Sequence, residues 1–255
     1  LANGRHSGGV YSLQLPEGEK WFELSIAVKP ATADEDKRLL LLARDITDRI
    51  ELQKREDEQR ELLDYHYKLV EILNSISTQF INLPIENIHA EVDQVLRKLG
   101  EFEKVDRSYV FLLRDEDPTI MDNTHEWCAP GIEPQIEHLK DVPISLYPWW
   151  KARMRSGEEI YIPNTAQLPP EAQALREALE PQGIQSLLAV PLMINKAMVG
   201  FIGFDAVQQV VSWSPDSIRL IKMTADVISN ALARKKTQEA VQRIEKRNQA
   251  LIENA

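Results

Sequence analysis

The C-terminal region constrains the fold of this chain most, because it predicts one long uninterrupted helix. The sequence Ser214-Pro215-Asp216 supplies a serine N-cap, a proline for the first helical position and an acid for the first turn. Residues 216–255 contain neither glycine nor proline. We therefore expect a helix that starts near residue 214 and has no stop signal before residue 255.

The apolar pattern changes along this helix. Its first part carries a broad stripe that suits the cover of a sheet: Ile218, Ile221, Ala225, Ile228 and Leu232. Beyond residue 233 the spacing alternates between three and four, at Val241, Ile244, Asn248 and Leu251. Such spacing is typical of a heptad seam, in which an asparagine at an a position fixes the register of two parallel helices. The helix is predicted to belong first to a globular core and then to a second chain.

Charge and cysteine content exclude several classes of protein. The net charge is −10 and no basic block occurs, which argues against nucleic acid and anionic membrane as partners of this segment. Cys128 is the single cysteine, so no internal disulfide can form and a reducing compartment is expected. No apolar run approaches a membrane span. We expect a cytoplasmic piece of a longer protein, whose parent can be membrane-anchored.

The N-terminal third predicts three strands and a charged helix. Apolar residues alternate along residues 9–16 and 20–29, and a turn at residues 16–19 joins these two strands. Residues 39–43 are continuously apolar. Three strands with one apolar face and no covering helix form only the second half of a domain. A helix follows over residues 47–80. Its three-four spacing predicts pairing with a second copy through Leu62, Leu69, Leu73 and Ile76.

The central region predicts an α+β domain. A helix over residues 84–104 precedes strands over residues 107–114 and 119–128. An irregular proline-rich stretch, short helices and a short strand follow. Strands over residues 184–194 and 198–207 form a hairpin around Asn195-Lys196. This order indicates an antiparallel sheet with its helices segregated from the strands.

Four segments in order resemble the GAF domain family: residues 106–112 (DRSYVFL), 182–192 (QGIQSLLAVPL), 200–205 (GFIGFD) and 213–216 (WSPD). The resemblance covers residues 67–235. Residues 8–49 are similar to the last three strands of a PAS domain, ending in RDITDR at residues 44–49. Together the two resemblances imply four parts of the chain. These are PAS strands over residues 1–47, a helical linker over 48–66, the GAF domain over 67–235, and a coiled-coil connector over 236–255 to a downstream domain.

The GAF resemblance implies a pocket that can hold a cyclic nucleotide, a bilin, haem or a metabolite, or nothing. Cyclic-nucleotide GAF domains resemble one another in an Asn-Lys…Phe…Asp-Glu set after the last strand. Here Asn195-Lys196 lies earlier, in the hairpin turn, and Ser217 follows Asp216 in place of the glutamate, which argues against a cyclic nucleotide. No haem signature is present, and Cys128 lacks the following histidine of a bilin site. His125 and Cys128 point to opposite strand faces, which argues against a metal. The cofactor stays open.

Aromatic and polar residues concentrate where a GAF pocket is expected. The candidates are Tyr109, Phe111, Asn123, His125, Trp127, Trp149, Trp150 and Tyr161. Asn123, His125 and Trp127 are expected on one strand face. These side chains either line a small-molecule site or simply fill the core.

No nucleophile–base pair, phosphate-binding glycine loop or metal-protease motif is present, so no catalytic residue is assigned and the chain itself is not expected to be an enzyme. The resemblance implies a sensory segment of a bacterial multidomain signalling protein, whose parent is a sensor histidine kinase or a cyclic-dinucleotide enzyme. The alternatives are a ligand-free dimerisation and relay module, and a cryptic enzyme. A parallel homodimer is expected, to which the last helix adds Leu220, Met223 and Val227 beside its heptad seam.

Overall fold

The computed structural model describes residues 5–29 and 38–253. The chain divides into two compact units, residues 1–68 and 69–255, and each is described by itself.

The first unit contains a three-stranded antiparallel sheet in the order β1-β2-β3. Its strands are β1 (Arg5–Leu15), β2 (Gly18–Lys29) and β3 (Arg38–Asp45). Gly18 has φ +123°, which lets the chain reverse tightly between β1 and β2. Residues 1–4 and 30–37, which the predicted PAS segment includes, lie outside the described residues.

Helix α1 (Thr47–Ile81) begins directly after this sheet. The Asp45 carboxylate accepts hydrogen bonds from the backbone N–H and the hydroxyl of Thr47, at 2.9 and 2.6 Å. These bonds lower the pKa of Asp45. The Thr47 hydroxyl oxygen in turn accepts from the backbone N–H of Trp21 at 2.9 Å, so the start of the helix is tied to the middle strand.

The second unit is built on a six-stranded antiparallel sheet in the order β6-β5-β4-β9-β8-β7. The strands are β4 (Arg107–Leu113), β5 (Ile120–Cys128), β6 (Val142–Pro143), β7 (Ile160–Ile162), β8 (Ser186–Ile194) and β9 (Ala197–Ala206). The helices are the end of α1, α2 (Ile88–Glu103), α3 (Pro148–Arg155), α4 (Gln173–Leu179) and α5 (Pro215–Glu253). The α+β class is therefore confirmed.

The two faces of this sheet carry different helices. Helices α2 and α5 pack on one face, where the Ser108 hydroxyl donates to the Leu96 carbonyl of α2 at 2.8 Å. The neighbouring side chain, Tyr109, points to the other face and joins a core cluster with Trp150 of α3 and Leu175 of α4. A second apolar layer thus lies between the sheet and the short helices.

Two local features explain the ends of these elements. Asn195 and Lys196 have φ angles of 50° and 65°, the paired positive values that a type I′ hairpin turn requires. The Ser214 hydroxyl accepts from the backbone N–H of Ser217 at 3.1 Å and caps α5. Asn195-Lys196 therefore has a full structural explanation as a turn.

Candidate functional site

A cavity of about 300 Å³ lies on the sheet face that α3 and α4 cover. Strands β4, β5, β8 and β9 form its floor, and the irregular segment before α3, with α3 and α4, forms its roof. Its lining residues are Arg107, Tyr109, Phe111, Met121, Asn123, Glu126, Leu139, Val142, Tyr147, Trp150, Leu175, Ala178, Leu179, Gln182, Ile184, Leu187, Phe201 and Asp205. The size is at the lower end of the range for small-molecule sites.

Stacked aromatic rings form one wall. Phe111 and Phe201 face each other across β4 and β9 with ring centroids 4.7 Å apart and planes within 8°. The Trp150 ring meets Phe201 edge-on at 5.1 Å, and Tyr109 meets Phe111 edge-on at 5.7 Å. Such contacts hold the rings in defined orientations, so this part of the cavity is apolar and preformed.

A buried polar group lies at the other end. Arg107 of β4 pairs directly with Asp205 of β9, and both side chains are buried. Arg107 Nη2 lies 3.4 Å from Asp205 Oδ2, an ion-pair distance without hydrogen-bonding geometry. The Tyr109 hydroxyl donates to Asp205 Oδ1 at 2.8 Å. The three side chains form one charged cluster in an otherwise apolar layer.

The protonation of this cluster reflects its burial. Loss of solvent raises the pKa of Asp205 to about 7, against the opposing influence of the Arg107 charge and the Tyr109 hydrogen bond. Burial, reinforced by Asp205, raises the pKa of Tyr109 well above its ordinary value. Asp205 can therefore exchange a proton near neutral pH while Tyr109 stays a hydrogen-bond donor.

Asn123 and Glu126 of β5 add a second polar element. One Glu126 oxygen accepts backbone N–H groups from Gln135 and Ile136, at 2.8 and 3.0 Å. The other accepts from Asn123 Nδ2 at 3.2 Å. Three donors hold this carboxylate in place, so it orients Asn123 toward the cavity. Cys128 is half-buried beside this group, and burial raises the pKa of its thiol to about 12.

The structure brings four of the eight predicted pocket residues to the cavity: Tyr109, Phe111, Asn123 and Trp150. Trp149 packs at the edge of the same core cluster, with the Arg153 guanidinium 4.1 Å from its ring centroid. Tyr161 instead packs edge-on against Trp213 at 5.9 Å.

A β-bulge explains why His125 and Trp127 lie elsewhere. Strand β5 pairs with β4 through Asn123 and His125 but leaves the residue between them unpaired, so the alternation shifts there. Asn123 therefore faces the cavity, whereas His125 and Trp127 face α2. The His125 ring lies nearly parallel to the His89 ring with centroids 5.1 Å apart, and Trp127 occupies the space beside Gly100. The expectation of one shared face was wrong for this reason.

Among the cavity residues that sequence reasoning missed are its three charged ones, Arg107, Glu126 and Asp205. Arg107 and Asp205 each stand at the end of a strongly apolar strand, as the sequence shows. Charged residues at strand ends are usually exposed, and the pairing of these two across β4 and β9 depends on strand order, which local sequence signals do not give.

Three residues predicted for the dimer seam belong to the core of the second unit instead: Leu69, Ile76 and Leu220 are buried. Their three-four spacing serves packing within the chain, so these side chains cannot meet a partner. The other predicted seam residues are partly or largely exposed: Leu62, Leu73, Met223, Val227, Val241, Ile244 and Asn248. The side chain of Leu251 lies outside the described residues.

Across residues 5–29 and 38–253, no three or more histidine, cysteine or acidic side chains gather in a way that could hold a metal ion. Over the same residues, none of the helices combines the length and apolarity of a membrane span.

Comparison with known proteins places this architecture. The GAF domain family profile matches residues 87–232. The methanogenesis regulatory histidine kinase FilI of Methanothrix harundinacea (strain 6Ac) is 30% identical over 203 residues, which cover 77% of this chain and only 21% of that protein.

Solved structures share the fold at low identity. The phycoerythrobilin-bound GAF domain of a cyanobacterial phytochrome has a TM-score of 0.57 at 12% identity, over 67% of this chain and 96% of that one. The GAF domain of an Acinetobacter phosphoenolpyruvate-protein phosphotransferase has a TM-score of 0.50 at 16% identity, over 66% and 94%. Since the family profile spans more than half of the residues, the chain belongs to the GAF domain family.

Proposed function

We propose that this chain is a sensory segment of a signalling protein, which passes the state of the GAF cavity through paired helices to an output domain. Its membership of the GAF family and its similarity to a regulatory histidine kinase support a regulatory role. The observation that carries the proposal is a set of hydrogen bonds between α5 and the end of α1, both in the second unit.

Arg234 makes these hydrogen bonds. Its guanidinium on α5 donates to the carbonyls of Phe80, Ile81 and Leu83, at 3.0, 2.8 and 2.8 Å. These carbonyls belong to the last turn of α1 and the residues just after it, where helical carbonyls have no partner within the helix. One side chain of α5 therefore caps the end of α1, so that a shift of either helix displaces the other.

The cavity and α5 lie on opposite faces of the same strands. Leu187 and Phe201 line the cavity, while their neighbours Leu188 and Ile202 are fully buried on the face that α5 covers. Helix α5 packs along β8, and the Ser229 hydroxyl accepts from the Met193 backbone N–H at 3.1 Å. Displacement of β8 or β9 by an occupant would thus reach α5 through contacts between close-packed side chains.

Exposed apolar residues support a parallel homodimer. In α1 of the first unit, Leu52 is 54% exposed and Leu62 is 55% exposed. In α5 of the second unit, Met223, Val241 and Ile244 are exposed, the last at 60%. Apolar side chains at heptad spacing on a long helix are normally covered by a partner helix.

Sedimentation equilibrium of the whole chain tests the dimer. We expect a dimer that Ile244→Glu weakens by about tenfold or more, because an unpaired carboxylate is costly to bury. The matched control, Gln242→Glu, places the same charge on an exposed position of the same helix outside the heptad seam. A chain that remains monomeric at high concentration would refute helix pairing as the relay.

We further propose that residues 1–47 form the last strands of a PAS domain. Three observations support this assignment. The strands are antiparallel in the order β1-β2-β3, the side chains of Tyr11, Leu13 and Leu42 are exposed, and a hydrogen bond between Thr47 and Asp45 connects the sheet to α1. An apolar dye such as anilinonaphthalene sulfonate should bind the chain through the exposed strands and bind a chain starting at Thr47 far less. Equal dye binding by the two would contradict the assignment.

A further inference from the structure

One edge of the Arg107 guanidinium, formed by Nε and Nη2, makes no hydrogen bond among the described residues. The Arg107 side chain is 2% exposed. Buried N–H donors, charged ones above all, are nearly always paired, because the loss of water is otherwise uncompensated. Since Arg107 is a lining residue of the cavity, we expect an acceptor bound there to pair with this edge after a small side-chain movement.

The chemistry that fits this edge is visible elsewhere in the same chain. Arg114 uses the same two atoms, Nε and Nη2, to hold both carboxylate oxygens of Asp122 at 2.7 and 2.8 Å. This side-on pair of parallel hydrogen bonds is the geometry in which a guanidinium matches a carboxylate. Arg107, a lining residue of the cavity, carries the same pair of donors without a hydrogen-bond acceptor among the described residues.

Asp205 accepts no hydrogen bond from Nε or Nη2 of Arg107. One of its oxygens accepts from Tyr109, and the other lies 3.4 Å from Nη2 without hydrogen-bonding geometry. Because burial brings the pKa of Asp205 to about 7, a large fraction of these carboxyls is protonated at neutral pH. A buried cation with a counter-ion that is often neutral favours a second anion.

The rest of the cavity limits the size and polarity of the part of such an anion that lies beyond its charged group. Phe111, Phe201 and Trp150 supply ring faces and edges, and the remaining roof is mainly aliphatic. The volume of about 300 Å³ is roughly twice that of an engineered apolar cavity that binds benzene. One ring, or an alkyl chain of similar size, and a short linker to the charged group would fit. Asn123 Oδ1 and Trp150 Nε1, which also lack partners among the described side chains, could bind one polar substituent.

We propose that the cavity binds a small carboxylic acid with an apolar, ring-sized body, whose carboxylate is held by the Nε–Nη2 edge of Arg107. The inference rests on the proposed function in that it takes this cavity as the sensory site. Arg107 is then the residue that selects charge, and the stacked rings select the body.

Binding should take up a proton near neutral pH. A ligand carboxylate at Arg107 places a like charge close to Asp205, which raises the pKa of Asp205 further. The charged and titratable groups that act on this carboxyl are Arg107, Tyr109, Glu126 and Asp106. Affinity should therefore fall as the pH rises from 6 to 8, because the ligand must then share Arg107 with an ionised Asp205.

Calorimetric titration of the whole chain tests the proposal with three acids of different shape, 3-phenylpropionate, indole-3-acetate and hexanoate. Each acid is compared with its neutral amide, and 3-phenylpropylamine serves as the cationic probe. At least one acid should bind about 10- to 100-fold more tightly than its amide, the range expected for a charge-assisted pair of hydrogen bonds. Amides that bind as tightly as the acids, tightest binding of the amine, or no binding by any probe would overturn the proposal.

Two substitutions locate the charge contact. Arg107→Met should remove the preference for acid over amide, whereas the matched control Arg114→Met, which removes an arginine outside the cavity, should keep it. If Arg107→Met does not fold, the acid–amide comparison on the unaltered chain still decides the question. Sedimentation separates the two claims: a dimer that binds none of the probes refutes the ligand class and leaves the helix relay in place.

Discussion

Protonation of His125 in mild acid should make a large unfavourable contribution to the stability of the fold. His125 lies in a chain of hydrogen bonds that links α5, α2 and β5. Lys235 Nζ lies 2.6 Å from His89 Nε2, His89 Nδ1 lies 3.0 Å from His125 Nε2, and His125 Nδ1 lies 2.8 Å from the Thr124 hydroxyl. The Thr124 hydroxyl donates to the Val110 carbonyl at 3.1 Å, so it accepts from His125.

This assignment leaves both imidazoles neutral. His125 Nε2 must accept from His89, and His89 Nε2 must accept the ammonium proton of Lys235. A proton added to His125 would place two donors face to face in a buried site. Burial, together with the nearby His89 and Lys235, accordingly lowers the pKa of His125 from 6.5 to about 4.

The lowered pKa fixes the direction of the pH effect. The folded state disfavours the charged imidazole, so its full stability is present above pH 6.5 and is lost as the pH falls toward 4. With 1.36 kcal/mol for each unit of pKa difference, the folded chain should lose about 2.5 kcal/mol between pH 7.5 and pH 4.5 through this residue. Asp205 acts in the opposite direction over much of this range, because its pKa is raised.

Urea unfolding at pH 7.5 and pH 4.5 measures the contribution of His125 to stability, when the unaltered chain is compared with a variant that lacks this imidazole. His125→Gln keeps an acceptor for His89 and should make the free energy of unfolding at pH 4.5, taken relative to its value at pH 7.5, about 2.5 kcal/mol higher than in the unaltered chain. His138→Gln is the control, because His138 is exposed on the loop before β6. Equal pH dependence in His125→Gln and the unaltered chain would refute the neutral hydrogen-bonded chain.

Two further substitutions probe the relay and the cavity. Arg234→Met should lower the free energy of unfolding by about 2–3 kcal/mol in urea titration, since three carbonyls at the end of α1 lose a charged donor; Arg243→Met, at an exposed position of the same helix, should change it little. Gly203→Ala would place a methyl group 2.6 Å from the Tyr109 ring, so we expect a loss of about 1–3 kcal/mol in thermal unfolding and weaker binding of the acids. An unchanged melting temperature and unchanged acid binding in Gly203→Ala would contradict the packing described for Tyr109.

Much of the fold follows from local sequence signals. The long helices lack glycine and proline, and the serine cap at residue 214 and the turn at Asn195-Lys196 act through their nearest neighbours. These signals give the α+β class and most strands to within a few residues. Strand β6 was not predicted, because it has two residues, one of them Pro143, and depends on pairing with β5.

The site was less accessible to sequence reasoning, because its features depend on contacts between distant residues. The bulge in β5 moves His125 and Trp127 away from the cavity, and no residue type in that strand marks it. The pairing of Arg107 with Asp205 depends on β4 and β9 being neighbours, although they lie far apart in the chain. Leu69 and Ile76 show a related limit, since a three-four spacing indicates a buried stripe without stating which surface buries it.

The central claim is that the state of the cavity reaches the end of α5. The most direct measurement is the distance between two spin labels, one in each copy of a Cys128→Ser, Gln242→Cys chain, by pulsed electron paramagnetic resonance. We expect a single short intermolecular distance that shifts when 3-phenylpropionate saturates the cavity, and no such shift when Arg234→Met is added. Absence of an intermolecular distance, or one that saturating acid leaves unchanged, would contradict it.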